Sequence, residues 1–219
     1  MAPPIAASAA GRALPDRRII RTVGAKSMPL HVILGTMTIG GQANASTGAQ
    51  MLDEFATASS QDGCGWVRVN KIDTARMYQM PNKLTGTTAI DDVDRSTEAI
   101  LGRLLRGRPQ FQLATKANPW AEWDESLSAH AVRLQLETSL RALGRSSVDL
   151  FYLHAPDVTT PIRETLQTVN AMHTEGLLGE FGLSNFAPWE VMEIYYICKE
   201  EGWIRPTVYQ VRLSATLGR

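Results

Sequence analysis

The chain has 219 residues, 44% of them apolar, and this length and composition predict one domain with a sizeable core. Its 22 Lys and Arg residues equal its 22 Asp and Glu residues, so no overall field favours nucleic acid or an anionic membrane surface. No apolar run approaches the roughly 18 residues that indicate a membrane span. We therefore expect a globular protein without a nucleic acid or membrane partner.

The cysteines and the N-terminal segment are the two features that indicate the cellular compartment of the protein. Cys64 and Cys198 lie far apart and match neither a metal-ligand spacing nor a disulfide framework, so we expect two ordinary thiols in the cytoplasm and no metal site. Residues 1–27 hold five basic residues against one acid, Asp16. We predict that they form a disordered extension ahead of a domain at 28–219. An organellar transit peptide is the alternative for this extension.

Short apolar runs and helical patterns alternate along the chain from residue 32 onward. The predicted strands cover residues 32–37, 66–73, 111–115, 148–153, 180–183 and 207–210. The predicted helices cover residues 50–58, 96–107, 128–143, 160–176 and 189–201. The long connection at 79–95, with one Pro and three Asp residues, is predicted to be a mobile surface insertion near the rim of the sheet.

Helix start and stop signals support several of these boundaries. Ser96 is typical of an N-cap, and Gly144 of a C-terminal stop after the stripe formed by Val132, Leu136, Leu140 and Leu143. Thr160 followed by Pro161 predicts a capping hydroxyl with proline at the first helical position.

The alternation of strands and helices predicts a parallel sheet covered by helices. A doubly wound open sheet fits the same count, but no G-x-G-x-x-G fingerprint follows the first strand. Polar residues instead follow the ends of strands two to six, which is where barrel enzymes place their active sites. We therefore favour a TIM-type (β/α)8 barrel, of which the chain holds about six of the eight strand–helix units.

Four polar residues near these strand ends form a chemically coherent set. A tyrosine has an ordinary pKa of about 10, and a nearby ammonium group stabilises its phenolate. Lys116 is therefore expected to lower the pKa of Tyr78, while Asp73 holds Lys116 in a buried ion pair. His154 is expected to orient a carbonyl substrate. Such a set suits protonation of a carbonyl oxygen, and a bound nicotinamide is the economical hydride source.

Asp73, Tyr78, Lys116 and His154 resemble the catalytic tetrad of the aldo-keto reductases, in order and in placement. The resemblance is strongest to the aflatoxin-aldehyde reductase branch of that family. It is carried by residues 114–120 (ATKANPW), 148–157 (VDLFYLHAPD), 182–191 (GLSNFAPWEV) and 206–210 (PTVYQ), and it covers roughly residues 30–210.

The resemblance implies NADPH-dependent reduction of aldehydes and ketones, with small aldehydes and dicarbonyls, including succinic semialdehyde, as typical substrates of the branch. It implies that Tyr78 is the general acid, Lys116 its partner, Asp73 the anchor of Lys116, and His154 the group that orients the substrate. Its cofactor-binding residues are Asp73, Ser184, Asn185 and Gln210, the last three at the nicotinamide carboxamide. Its substrate-binding residues are Tyr78, His154, Trp120 and Met77.

The resemblance is expected to end after Gln210, before strands seven and eight of a barrel. Because barrels commonly bind phosphate with the loops after those strands, we expect a C-terminally truncated domain whose activity is impaired. One alternative is a short protein completed by self-association as a homo-oligomer or by a partner. Another is a non-catalytic relative with a binding or regulatory role.

Overall fold

A computed structural model describes residues 30–61, 67–78, 96–120 and 125–211 of the chain. In these ranges six strands alternate with five helices, in the order β1 Leu30–Gly35, α1 Ala45–Gln61, β2 Val67–Asp73, α2 Thr97–Leu104, β3 Gln112–Ala117, α3 Ala129–Leu143, β4 Val148–Leu153, α4 Ile162–Thr174, β5 Leu178–Ser184, α5 Pro188–Glu201 and β6 Pro206–Gln210. The extension predicted at 1–27 and the insertion predicted at 79–95 lie outside the described residues.

The six strands form one parallel sheet in sequence order, from β1 at one edge to β6 at the other. In a flat sheet, four spacings of about 4.8 Å would separate β2 from β6 by about 19 Å. Gln210 at the end of β6 nevertheless donates from Nε2 to Asp73 Oδ2 at the end of β2, over 3.2 Å. The sheet is therefore strongly curled into a partial barrel. The strand order has no reversal, so the prediction of an incomplete (β/α)8 barrel over a doubly wound sheet is confirmed.

The main apolar core lies between the outer face of the sheet and the helices. It joins strand residues such as Ile72, Phe151 and Phe181 to helix residues such as Leu136 and Val169, and all five side chains are almost fully buried. Helices α2, α3 and α4 pack side by side over this layer. The apolar stripe predicted on α3 therefore faces the sheet, as helical periodicity requires.

A second, smaller cluster lies inside the curl of the sheet. It consists of Ala114, Leu150 and Tyr152, with Val208 packed against it. Because side chains alternate between the two faces of a strand, Lys116 shares this inner face with Ala114, two residues earlier. The inner face thus changes from apolar to polar toward the carboxyl ends of the strands.

Three predicted helix boundaries depended on capping residues, and one of these predictions is wrong. Ser96 caps α2 by accepting a hydrogen bond from Ala99 N, and Gly144 ends α3 with a left-handed φ of 64°. Helix α4 begins only at Ile162, and no side chain caps it. The Thr160 hydroxyl is engaged elsewhere, because it donates to Asp157 Oδ2 over 2.8 Å.

Other element boundaries differ from prediction by a few residues. Helix α1 begins earlier than predicted, and Asn44 Oδ1 accepts from Thr47 N over 2.9 Å in its first turn. Strand β3 continues past residue 115 to Ala117, because Lys116 and Ala117 still pair with β4. This extension places Lys116 within the sheet rather than in a loop.

Candidate functional site

The parallel direction of the strands brings the predicted site residues to one rim. Asp73, Ser184 and Gln210 are the last residues of β2, β5 and β6. His154 follows β4 directly, and its backbone N donates to Ala117 O over 2.9 Å. Since all six strands run the same way, these carboxyl ends meet at the same edge.

A buried ion pair between Lys116 and Asp73 forms the floor of the site. Lys116 is 1% exposed and Asp73 is 7% exposed. Lys116 Nζ lies 2.8 Å from Asp73 Oδ1, 2.7 Å from Asp73 Oδ2 and 2.8 Å from the carbonyl oxygen of Thr74. These three acceptors match the three protons of an ammonium group. Burial lowers the pKa of Lys116, and the adjacent Asp73 carboxylate opposes that change.

Tyr78 lies above this ion pair at the end of the turn that follows β2. Its ring centroid is 5.3 Å from Lys116 Nζ, and its carbonyl oxygen accepts from Thr97 N at the start of α2 over 3.3 Å. Burial, with a smaller contribution from the Asp73 carboxylate, raises the pKa of Tyr78 to about 12. The prediction that Lys116 lowers the pKa of Tyr78 is therefore wrong for this arrangement. The physical reason is that burial disfavours the charged phenolate and that the negative charge of Asp73 disfavours it further.

His154 contacts two aromatic rings and is only 9% exposed. Its ring makes edge contacts with Tyr78, at a centroid distance of 6.1 Å, and with Trp120, at 5.2 Å. Burial and the nearby Lys116 charge lower the pKa of His154 to about 4, so the imidazole is neutral near pH 7. Its Nδ1 atom is buried and makes no hydrogen bond to any residue in the described ranges. The ring is thus a neutral polar group in contact with two aromatic side chains.

The three residues predicted at the nicotinamide carboxamide contact one another and the floor of the site. Asn185, which adopts a left-handed φ of 61°, donates from Nδ2 to His154 O over 2.9 Å and to Ser184 Oγ over 3.0 Å. Its backbone N donates to Gln210 O over 3.3 Å. Among contacts between described residues, the Ser184 hydroxyl proton and Asn185 Oδ1 have no hydrogen-bond partner. One donor and one acceptor are therefore available side by side, which suits a primary amide.

The structure draws most of the predicted residues together but ties Met77 in less closely. Trp120 joins the site through its ring contact with His154. Met77 is half-buried next to Tyr78 in the chain, and no hydrogen bond or ring contact described here links it to the other site residues. The substrate position predicted for Met77 stays a prediction.

The family model described as "Aldo/keto reductase family" matches residues 31–217 of the chain. The chain belongs to the aldo/keto reductase family. The match extends past Gln210, where the resemblance was expected to end, so that expectation is wrong. The site above accordingly lies in an aldo/keto reductase domain, at the carboxyl ends of its strands.

Several aflatoxin aldehyde reductases are among the relatives of this aldo/keto reductase chain. It is 43% identical to "Aflatoxin B1 aldehyde reductase member 2" of Rattus norvegicus over 200 residues, which cover 90% of this chain and 48% of that relative. It is 42% identical to "Aflatoxin B1 aldehyde reductase member 4" of Homo sapiens and 39% identical to "Aldo-keto reductase family 7 member A3" of Homo sapiens. Both matches cover 84% of this chain and 49% of the relative. The chain thus spans about half the length of the curated relatives it matches.

Two residues of the site escaped the sequence analysis. Tyr152 is 3% exposed, and its ring centroid lies 5.4 Å from Lys116 Nζ. The available signal was its position two residues before His154, which places both side chains on the inner face. Glu98 is 1% exposed on α2 and accepts from Thr115 Oγ1 over 2.6 Å. An acid in the first turn of a helix is typical of a solvated face, so no sequence signal pointed to this burial.

Metal binding and membrane spanning can also be assessed in the described part of the aldo/keto reductase domain. Its residues include no group of three or more His, Cys, Asp or Glu side chains that could hold a metal ion. Within the same ranges, no helix has both the length and the apolar character needed to cross a membrane.

Proposed function

We propose that this chain reduces aldehydes and ketones with NADPH, and that small aldehydes and dicarbonyls are its substrates. The observation that carries the proposal is the buried Lys116–Asp73 pair directly beneath Tyr78 and His154. The relatives named as aflatoxin B1 aldehyde reductases support an aldehyde as the substrate class.

The residues at the ends of β5 and β6 fit the amide group of a nicotinamide. When bound, NADPH supplies a hydride to the carbonyl carbon of the substrate. Ser184 and Asn185 would hold the carboxamide through the unused hydroxyl proton and amide oxygen. Gln210 would complete this set, because its backbone is hydrogen-bonded to Asn185 and its side chain to Asp73. Asp73 thereby links the cofactor end of the site to Lys116.

Tyr78 acts as the proton donor in this proposal. Because the pKa of Tyr78 is raised to about 12, its hydroxyl stays protonated and able to donate at neutral pH. Hydride addition leaves an alkoxide oxygen that is about as basic as hydroxide, whose conjugate acid has a pKa of about 15.7. The alkoxide is therefore the stronger base, and proton transfer from Tyr78 remains favourable. Tyr78 is half-buried, so solvent can return the proton.

His154 is proposed to orient the carbonyl oxygen toward Tyr78. A neutral imidazole carries one N–H donor, and a carbonyl oxygen accepts one such bond without a change in charge. The lowered pKa of His154 keeps the ring in this neutral form through the physiological range. The rings of Tyr78 and Trp120, which contact His154, would limit the access of water to this oxygen.

Replacement of Tyr78 with Phe tests the proposal. General acid catalysis typically contributes a factor of about 10²–10⁴, so we expect kcat for aldehyde reduction to fall at least about 100-fold in Tyr78→Phe. NADPH affinity should be unchanged, because the carboxamide contacts lie on β5 and β6. Tyr196→Phe, at an exposed tyrosine of α5, is the matched control and should behave as wild type. Wild-type turnover in Tyr78→Phe would refute the assignment of the acid.

A non-catalytic role in binding or regulation is the second candidate function. The observation that favours it is that Asp73 and Thr74 engage all three Lys116 protons, which leaves none of them for the Tyr78 hydroxyl. This candidate predicts saturable NADPH binding, seen as quenching of tryptophan fluorescence, without reduction of any small aldehyde. Turnover that depends on Tyr78 would exclude it.

A further inference from the structure

Three shielded charged residues near Tyr78 take no part in the chemistry proposed above: Arg76, Glu98 and Glu125. Glu98 on α2 is almost fully buried, and its charge is attracted to Arg76, two residues before Tyr78. Glu125, after β3, has a side chain that is only 10% exposed, and the Arg76 side chain is 16% exposed. Burial raises the pKa of both Glu98 and Glu125, and Arg76 opposes the change in each. For Glu98, hydrogen bonds from Thr115 and Ser139 oppose the rise in pKa more than Arg76 does, whereas for Glu125 Arg76 is the largest opposing cause.

Arg76 connects the turn after β2 to the loop after β3. Its Nε atom lies 3.6 Å from Glu125 Oε1 in an ion pair. Its backbone N donates to Lys116 O over 3.3 Å. Tyr78 is at the end of this same turn, two residues after Arg76, and its backbone N donates to Ala75 O over 3.1 Å.

The connection continues from Glu125 to Trp120. Asn118, which is fully buried, donates from Nδ2 to Glu125 Oε2 over 2.6 Å. Its Oδ1 atom accepts from Trp120 N over 3.1 Å. Gln135 on α3 holds Asn118 in place, because its side-chain oxygen accepts from Asn118 N over 2.7 Å. Through Glu125 and Asn118, Arg76 is thereby linked to the backbone of Trp120, whose ring contacts His154.

We propose that Arg76 is a positioning residue that, through its ion pair with Glu125, fixes the spacing of the Tyr78 and Trp120 rings that contact His154. This inference rests on the proposed function, because the spacing of these rings sets where a carbonyl group can approach His154. The planar guanidinium suits the role, since it presents its N–H donors in a fixed geometry. A lysine would bring the same charge at a single, more flexible point.

The first test compares Arg76→Gln and Arg76→Lys with Arg133→Gln in the full chain. Arg133 is the matched control, because its ion pairs, with Glu137 on α3 and with Glu175 at the end of α4, include no residue of the site. A small misplacement of a reacting group can cost about 10²-fold in rate. We expect kcat to fall between about 10-fold and 100-fold in Arg76→Gln, with the Kd for NADPH within about twofold of wild type. Arg76→Lys should recover part of kcat, and Arg133→Gln should match wild type.

A second measurement, by nuclear magnetic resonance, reports the positions of the Tyr78, Trp120 and His154 rings and does not depend on catalytic activity. Labelling with fluorotryptophan, with the Trp120 signal assigned through Trp120→Phe, reports the surroundings of that ring. In wild type we expect a nuclear Overhauser effect between the Tyr78 and His154 rings, which the structure places in edge contact. Arg76→Gln should weaken this effect and shift the Trp120 fluorine signal. Glu125→Gln, which removes the carboxylate charge paired with Arg76 and keeps the arginine, is the alternative variant if Arg76→Gln fails to fold.

The two measurements separate failure of this inference from failure of the proposed function. Loss of the ring contacts in Arg76→Gln, in a chain whose wild type does not reduce aldehydes, would support positioning and refute the reductase proposal. Unchanged ring contacts and unchanged kcat in both Arg76→Gln and Glu125→Gln would overturn the positioning role of Arg76, whatever the wild-type activity.

Discussion

Acidification is expected to destabilise the chain through His154. Burial and the Lys116 charge lower the pKa of His154 from 6.5 to about 4. Between these two values the unfolded chain binds a proton that the folded chain does not, so the free energy of unfolding falls as the pH drops. For these pKa values, His154 lowers that free energy by about 2 kcal/mol at pH 5 and by well under 1 kcal/mol at pH 7. The loss between pH 7 and pH 5 attributable to His154 is therefore about 2 kcal/mol.

Urea unfolding followed by circular dichroism measures this loss. The wild-type chain, His154→Gln and His173→Gln would each be unfolded at pH 7 and at pH 5. His173, a half-buried histidine on α4, is the control for removal of any histidine. Other groups that titrate in this range act equally in the three proteins, so the difference between wild type and His154→Gln isolates His154. Equal losses of stability on acidification in wild type and His154→Gln would refute a neutral, buried His154.

Two further predictions concern the inner face of the sheet, and both are measured as changes in the free energy of unfolding in urea. Lys116→Met should cost about 3–5 kcal/mol, because it leaves the Asp73 carboxylate buried without its cation. Combining it with Asp73→Leu should recover at least half of that cost, and a double variant no more stable than Lys116→Met would contradict this reason. Gly182→Ala should cost about 1–3 kcal/mol, because an added Cβ would lie 2.5 Å from two ring carbons of Tyr152. Gly35→Ala, whose Cβ would meet nothing within 4 Å, should change little, and an equal effect of both alanines would show that Tyr152 does not pack against residue 182.

Much of the fold could be predicted because each element carries its own period. The α3 stripe and its Gly144 stop, for example, depend only on residues within four positions of each other. The failures came where a partner distant in space or along the chain decides the outcome. Thr160 does not cap α4 because Asp157 takes its hydroxyl, and β3 extends to Ala117 because β4 pairs with it.

The sequence predicted which residues form the site better than it predicted their pKa values. A polar residue just past an apolar run identifies a strand end, and parallel strands bring such ends together, so Lys116 and His154 could be grouped from sequence. The pKa of Tyr78 could not be predicted from the sequence. It depends on how deeply the fold buries the hydroxyl and on the distances from it to the charged groups of Asp73 and Lys116. Glu98 was missed for a similar reason, since its burial follows from the packing of α2 against β3 and α3.

Transfer of a hydride by this chain is the central claim, and isotopic labelling tests it most directly. The wild-type chain would be incubated with succinic semialdehyde and with NADPH deuterated at the transferred position, and the alcohol product analysed by mass spectrometry. The proposed function predicts deuterium on the carbinol carbon with wild type and its near absence with Tyr78→Phe. A folded wild-type chain that binds NADPH saturably but forms no labelled alcohol from small aldehydes or dicarbonyls would contradict it.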